Sequence, residues 1–145
     1  MVKIKIKKIH PDAIIPKYAH KGDSGMDVYS VEEFELKTLE RKLVKTGLSF
    51  EIPVGYEIQT RPKSGLAIKY GITIVNAPGT IDSCYRGELG IILMNTDKEN
   101  YSVKKGEKIA QIVLQKVEEI EFIKTENLNS TSRGENGFGS TGKKE

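Results

Sequence analysis

The sequence predicts an all-β sandwich or barrel that carries one short helix near residues 64–70. Three observations point there. Short runs rich in Val, Ile, Phe, Tyr and Thr recur along the chain, and Gly, Pro or Asn ends each within a few residues. Many short strands at this spacing suit two packed sheets or a closed one. Only residues 61–71 read as helix-compatible between a start signal and a stop signal.

At 145 residues the chain is one domain, and a fold of this size buries about 68–70% of its unfolded surface. An apolar fraction of 37% beside 30% charged residues describes a soluble globular protein. The net charge of +3 is small and the lysines are scattered, so charge makes no case for nucleic acid. The longest apolar run, residues 91–94, is far below the ~18 needed to cross a bilayer. Lys and Ile alternate at the N-terminus, which therefore lacks the apolar stretch of a signal peptide. Cys84 has no second cysteine to pair with, which fits a reducing compartment. The expected location is the cytoplasm, with no membrane and no nucleic-acid partner.

Residues 2–9, Val-Lys-Ile-Lys-Ile-Lys-Lys-Ile, place Val2, Ile4 and Ile6 on one face and lysines on the other, as in a half-buried strand. The lysines could bind phosphates, or they solvate a sheet edge and discourage edge-to-edge pairing. Gly22 and Gly25 mark a turn before a strand at residues 26–29. There Asp27 turns away from the face that Met26 and Val28 share. It either caps the turn or stands near a metal or phosphate site. Further strands are expected at 34–39, 43–50 and 56–60. With two histidines in the chain and no Gly-x-Gly-x-x-Gly or Walker loop, zinc and those nucleotide motifs are not indicated.

Residues 61–71 read Arg-Pro-Lys-Ser-Gly-Leu-Ala-Ile-Lys-Tyr-Gly. Ser64 is the expected N-cap and Gly71 the terminator of a helix about two turns long. Arg61, Lys63 and the Ser64 hydroxyl stand beside free backbone N–H groups. They form either an anion site or a capped connector with solvated charges.

Residues 72–75 and 89–94 are β-rich and flank a segment punctuated by Asn76, Pro78, Gly79 and Gly87, so an irregular hairpin is expected. The segment also holds Asp82, Tyr85 and Arg86. A carboxylate, an aromatic ring, a cation and an amide together suit a pocket for a small, polar, partly planar ligand. Residues 95–105 read as a polar loop, 107–117 as a core strand and 120–124 as a last strand. Gln111 is the polar residue inside the core strand, so its amide needs a backbone or ligand partner.

Residues 127–145 have the composition of a flexible arm following a folded domain at 1–126. The arm nevertheless contains Arg133-Gly-Glu-Asn-Gly-Phe-Gly-Ser-Thr-Gly142. Glycine amides, hydroxyls and a guanidinium suit a polyphosphate, and Phe138 can stack on a base.

Five blocks in order (residues 25–27, 61–67, 76–88, 106–111 and 133–142) make the chain resemble the trimeric dUTPase family, deoxyuridine triphosphate nucleotidohydrolases. The resemblance implies a jelly-roll β-fold and a homotrimer whose active sites are shared between subunits. It implies Mg²⁺-dependent hydrolysis of dUTP to dUMP and diphosphate, which limits uracil incorporation into DNA and supplies dUMP. By the same resemblance Asp82 is the carboxylate that activates water. Tyr85 packs under the sugar, and Asn76 through Gly79 read the uracil edge. Arg61, Lys63, Ser64, Gly65 and Gln111 serve the phosphates, and Asp27 meets the metal through water. From the arm, Arg133, Gly139, Ser140 and Thr141 hold the γ-phosphate end while Phe138 covers uracil. Three positions depart from the pattern: Lys63 stands where many relatives have Arg, Cys84 where the residue is often acidic, and Asn136 where a glycine is usual. A dCTP deaminase of the same fold is the first alternative. It would carry a glutamate in the strand after the hairpin, where Ile92 stands. A nucleotide-binding trimer without catalysis is the second.

Overall fold

The computed structural model describes residues 1–138 and 140–142. Ten strands and one helix follow in chain order: β1 (Lys5–Lys8), β2 (Gly25–Tyr29), β3 (Phe34–Leu36), β4 (Arg41–Glu51), β5 (Tyr56–Arg61), α1 (Ser64–Tyr70), β6 (Ile72–Ile74), β7 (Gly79–Ile81), β8 (Glu88–Asn95), β9 (Tyr101–Val103) and β10 (Lys108–Lys116). All pairings are antiparallel. One sheet has the order β1-β4-β8-β6, the second β2-β10-β5-β7, and β3 with β9 forms a two-stranded ribbon. This is the all-β architecture expected from the sequence, in the jelly-roll form that the resemblance implies.

Successive side chains of a strand point to opposite faces, so one face of a strand can pack on the core. In β8, Leu89, Ile91, Leu93 and Asn95 are buried and the residues between them half-buried. Val28 from β2, Ile58 from β5 and Ile112 from β10 meet Val44, Leu89 and Leu93 in one apolar core. Asn95 tolerates that core because its side-chain amide donates to the carbonyls of Leu36 at 3.0 Å and Glu99 at 2.8 Å. The helix ends where Gly71 adopts φ 61°, a left-handed conformation that costs glycine little, and its N–H donates to the Ala67 carbonyl. No helix among the described residues is long and apolar enough to cross a membrane.

Four expectations need correction. Ser64 is the first helical residue, and Lys63, extended at φ −93° and ψ 125°, occupies the cap without a side-chain capping bond. Residues 95–105 contain β9, a strand too short to show periodicity, which Val103 buries against β3. The stretch between β6 and β8 contains β7, which leaves their sheet and pairs with β5 in the other. Residues 120–124 form no strand: Ile120, Phe122 and Ile123 are exposed, and no neighbouring strand offers its backbone to them. After β10 the described residues contain no helix or strand.

Candidate active site

The two sheets and the β6–β8 hairpin place Asn76, Asp82 and Tyr85 around one cavity and Asp27, Lys63 and Gln111 around another; Arg61, Ser64, Gly65 and Gly79 line neither. The first, about 240 Å³, is lined by Asn76, Thr80, Asp82 and Tyr85 of the hairpin and by Leu43, Gly90 and Ile92 from the sheet beneath. The hairpin is held rigidly at its base. Ser49 Oγ donates to the Arg86 carbonyl at 2.7 Å, and the Gly47 N–H donates to Glu88 Oε1 at 2.8 Å. A bulge in β4 between Lys45 and Ser49 brings that strand's backbone to Glu88. Within the hairpin, the Tyr85 N–H closes a turn onto the Asp82 carbonyl at 3.1 Å, so carboxylate and ring are linked by local geometry. Tyr85 Oη donates to the Glu88 carbonyl at 3.0 Å. Asp82 and Asn76 are both exposed at the cavity rim, open to a ligand. Gly79 starts β7, paired with Thr60, where a Cβ would overlap the Thr60 hydroxyl. Ile92 presents a hydrocarbon to the cavity where a deaminase would need an acid.

The second cavity, about 390 Å³ and predominantly polar, is lined by Asp27, Lys63 and Gln111 together with Lys17, Asp23 and Ser24. Strand register assembles it. Gln111 stands opposite Asp27 on one side and opposite Arg61 on the other, so the three residues form a transverse row across β2, β10 and β5. The Gln111 amide donates to the Pro62 carbonyl at 2.9 Å, which ties the row to the chain entering α1. Arg61 Nη2 donates to Gln59 Oε1 at 2.7 Å. Ser64 and Gly65 open the helix and are exposed.

Asp27 is the most constrained carboxylate of this cavity. Its side chain is 18% exposed; Oδ1 pairs with the Lys63 ammonium and Oδ2 with that of Lys108 at 2.7 Å. Burial pushes its pKa up, but the hydrogen bonds and charges of Lys108 and Lys63 outweigh burial and hold it below the ordinary carboxylate value. The same pairing raises the Lys108 ammonium.

Lys108 was not legible as a site residue. Strict alternation from Gln111 turns residue 108 to the opposite face. A register shift between Lys108 and Ala110 cancels that alternation. Lys17, Asp23 and Ser24 also escaped notice, being loop residues without a distinguishing pattern.

The described arm residues line neither cavity. Arg133 Nε donates to the Asn136 carbonyl at 2.9 Å within the arm, and Phe138, Ser140 and Thr141 are exposed. Gly139 lies outside the described residues.

Among the described residues no three His, Cys, Asp or Glu side chains gather as a metal cluster. Each Asp27 carboxylate oxygen has a second lone pair beyond its lysine contact, able to accept from the water of a hydrated cation.

The dUTPase family model matches residues 11–142. A deoxyuridine 5'-triphosphate nucleotidohydrolase of Nautilia profundicola is 53% identical over 142 residues, covering 98% of this chain and 100% of that one. The solved structure of Staphylococcus bacteriophage 80alpha dUTPase with dUPNHPP is similar at a TM-score of 0.88 and 31% identity, over 97% of this chain and 98% of that one. A variant dUTPase from phage phi11 of S. aureus, described with a structural Mg(II) ion, is similar at a TM-score of 0.81 and 25% identity, over 88% of this chain and 99% of that one. Sequence and architecture agree along nearly the whole length, and the chain belongs to the dUTPase family.

Proposed function

We propose that this chain hydrolyses dUTP to dUMP and diphosphate at sites shared between three copies, with Asp82 as the base. The observation that carries the reading is the division of the site residues. Asn76, Asp82 and Tyr85 line one cavity, Asp27, Lys63 and Gln111 another, and no described residue lines both. A nucleoside triphosphate needs both halves at once, and assembly of the nucleoside cavity of one copy against the phosphate cavity of the next supplies them. The arm, whose described residues line neither cavity of its own chain, then reaches a third copy.

In this reading the Tyr85 ring supports the deoxyribose and excludes a 2′-hydroxyl. Asn76 and the backbone through Gly79 present hydrogen bonds matched to N3–H and O4 of uracil. Cytosine, which offers an acceptor and an amino group there, is mispaired, and sites that read polar groups discriminate strongly. Arg61, Lys63, Ser64, Gly65 and Gln111 orient the phosphates, while Arg133, Gly139, Ser140, Thr141 and Phe138 close over the nucleotide. Asp82 accepts a proton from a water as the water's oxygen bonds to the α-phosphorus. The bond from the α-phosphorus to the bridging oxygen breaks, and diphosphate leaves. Mg²⁺ on the triphosphate, with Asp27 contacting its waters, would supply charge neutralisation. General-base assistance contributes about 10²–10⁴ in rate, and positioning supplies the rest.

The test is incubation with dUTP, dCTP, dTTP and UTP plus Mg²⁺, assayed for pyrophosphate. Release from dUTP alone is expected. Asp82→Asn should lose at least about 10² in kcat and still bind a non-hydrolysable dUTP analogue. Near-normal turnover by that variant, or equal release from all four nucleotides, would overturn the reading.

A further inference from the structure

Lys108 should not face Asp27, and it does. In β10, Gln111 opposes Asp27 and Ala110 opposes Val28, so an unbroken ladder would set Ile109 opposite Tyr29. Lys108 stands there instead, with Ile109 as an extra residue. Both Ile109 and Ala110 are buried, at 2% and 0% exposure, so the extra residue is packed into the core. A bulge of this kind re-aims a side chain. Here it turns Lys108 onto the face shared by Tyr29, Asp27 and Gln111, and the ammonium lands on Asp27 Oδ2. Lys63 holds the other oxygen and lines the polar cavity; Lys108 does not line it.

We propose that Lys108 is a positioning residue for the phosphate site: aimed by the bulge, it keeps Asp27 neutralised so that Lys63 can leave the carboxylate and take a phosphate oxygen. This rests on the phosphate reading of that cavity given above. A carboxylate only 18% exposed is costly to leave unpaired. With one lysine, phosphate binding would require breaking the carboxylate's single ion pair. With two, the charge stays compensated throughout. The structure thus gives Asp27 one permanent partner and Lys63 a choice of two.

Steady-state kinetics on dUTP with Lys108→Met, Lys108→Arg and Asp27→Asn tests this. Lys108→Met traps Lys63 on Asp27, so KM should rise about tenfold, the equivalent of roughly 1.4 kcal/mol, with kcat changed less. Inhibition by inorganic pyrophosphate should weaken in step while dUMP inhibition stays constant. Lys108→Arg should restore KM. In the Asp27→Asn background nothing remains to trap Lys63, and adding Lys108→Met should change KM less than twofold. Persistence of the full tenfold effect in that background would make Lys108 a direct phosphate ligand and overturn the proposal. Unchanged KM in Lys108→Met would overturn it as well, and if that variant does not fold, Lys108→Gln carries the same comparison. Absence of dUTP hydrolysis in the unaltered protein would instead defeat the functional reading itself, so the two failures are distinguishable.

Discussion

Tyr85 donates its phenolic hydroxyl to the Glu88 carbonyl at 3.0 Å and so lays its ring across Gly87. A Cβ added at residue 87 would overlap that ring. The aromatic floor of the hairpin cavity is therefore set by an absent side chain as much as by a present one. Gly87→Ala should push the Tyr85 ring out of place without unfolding a segment so exposed. Displacing a positioned group by about 1 Å can cost up to 10²-fold. The expected result is a loss of roughly 10–10² in kcat/KM for dUTP and weaker rejection of UTP, with an unchanged thermal midpoint.

The polar cavity should make stability acid-sensitive. Asp27 is held below its ordinary 3.8 by Lys108 and Lys63. A depressed carboxylate contributes stability that is fully present above its unfolded value and is lost as pH falls through the folded value. Urea midpoints of the metal-free protein should therefore fall as pH drops below about 4. Asp27→Asn should be less stable at neutral pH and show a shallower acid slope. Equal slopes for the two proteins would count against the pairing.

Asn95 should be a structural rather than a chemical residue. Fully buried, it joins β8 to Leu36 and to the turn at Glu99, and its Oδ1 accepts from the Asp97 N–H at 2.8 Å. Asn95→Leu preserves bulk but strands those backbone groups, at about 1–3 kcal/mol for each one left unsatisfied. Denaturation at fixed protein concentration should show that loss, since association also shifts apparent stability. Activity per folded molecule should be unchanged.

The arm and the folded domain should be separable. The last strand ends at Lys116, and the described arm residues contribute nothing to the core. A chain ending at residue 126 should keep its β-sheet circular dichroism yet lose at least about tenfold in kcat/KM, a loss of 1.4 kcal/mol or more in transition-state binding. Sedimentation should report three copies in both forms, of the 16.2 kDa chain in one and of the shortened chain in the other.

Most of the fold was legible because β-rich composition between turn residues is a local property. Residues 26–29, 43–50, 56–60 and 89–94 are such runs, and each lies within an observed strand. The hairpin's Asn76, Asp82 and Tyr85 stood out because an unusual set of functional groups was concentrated in one turn-rich stretch. Ser64 misled for a specific reason: serine favours the cap, but Lys63 already holds the extended conformation that a cap needs. Residues 120–124 have strand-like composition, and composition cannot supply a hydrogen-bonding partner.

The sequence by itself determined most of the strands, where the helix stops and which stretch concentrates functional groups, because residue composition, glycine and functional groups act at short range. Only the tertiary structure decided that β7 would join the opposite sheet, that Asp27, Gln111 and Arg61 would form one row, and that a bulge would swing Lys108 onto a carboxylate. Those outcomes depend on register between strands far apart in the chain. A one-residue shift in register reverses which face a side chain takes, and no local pattern in β10 announces it.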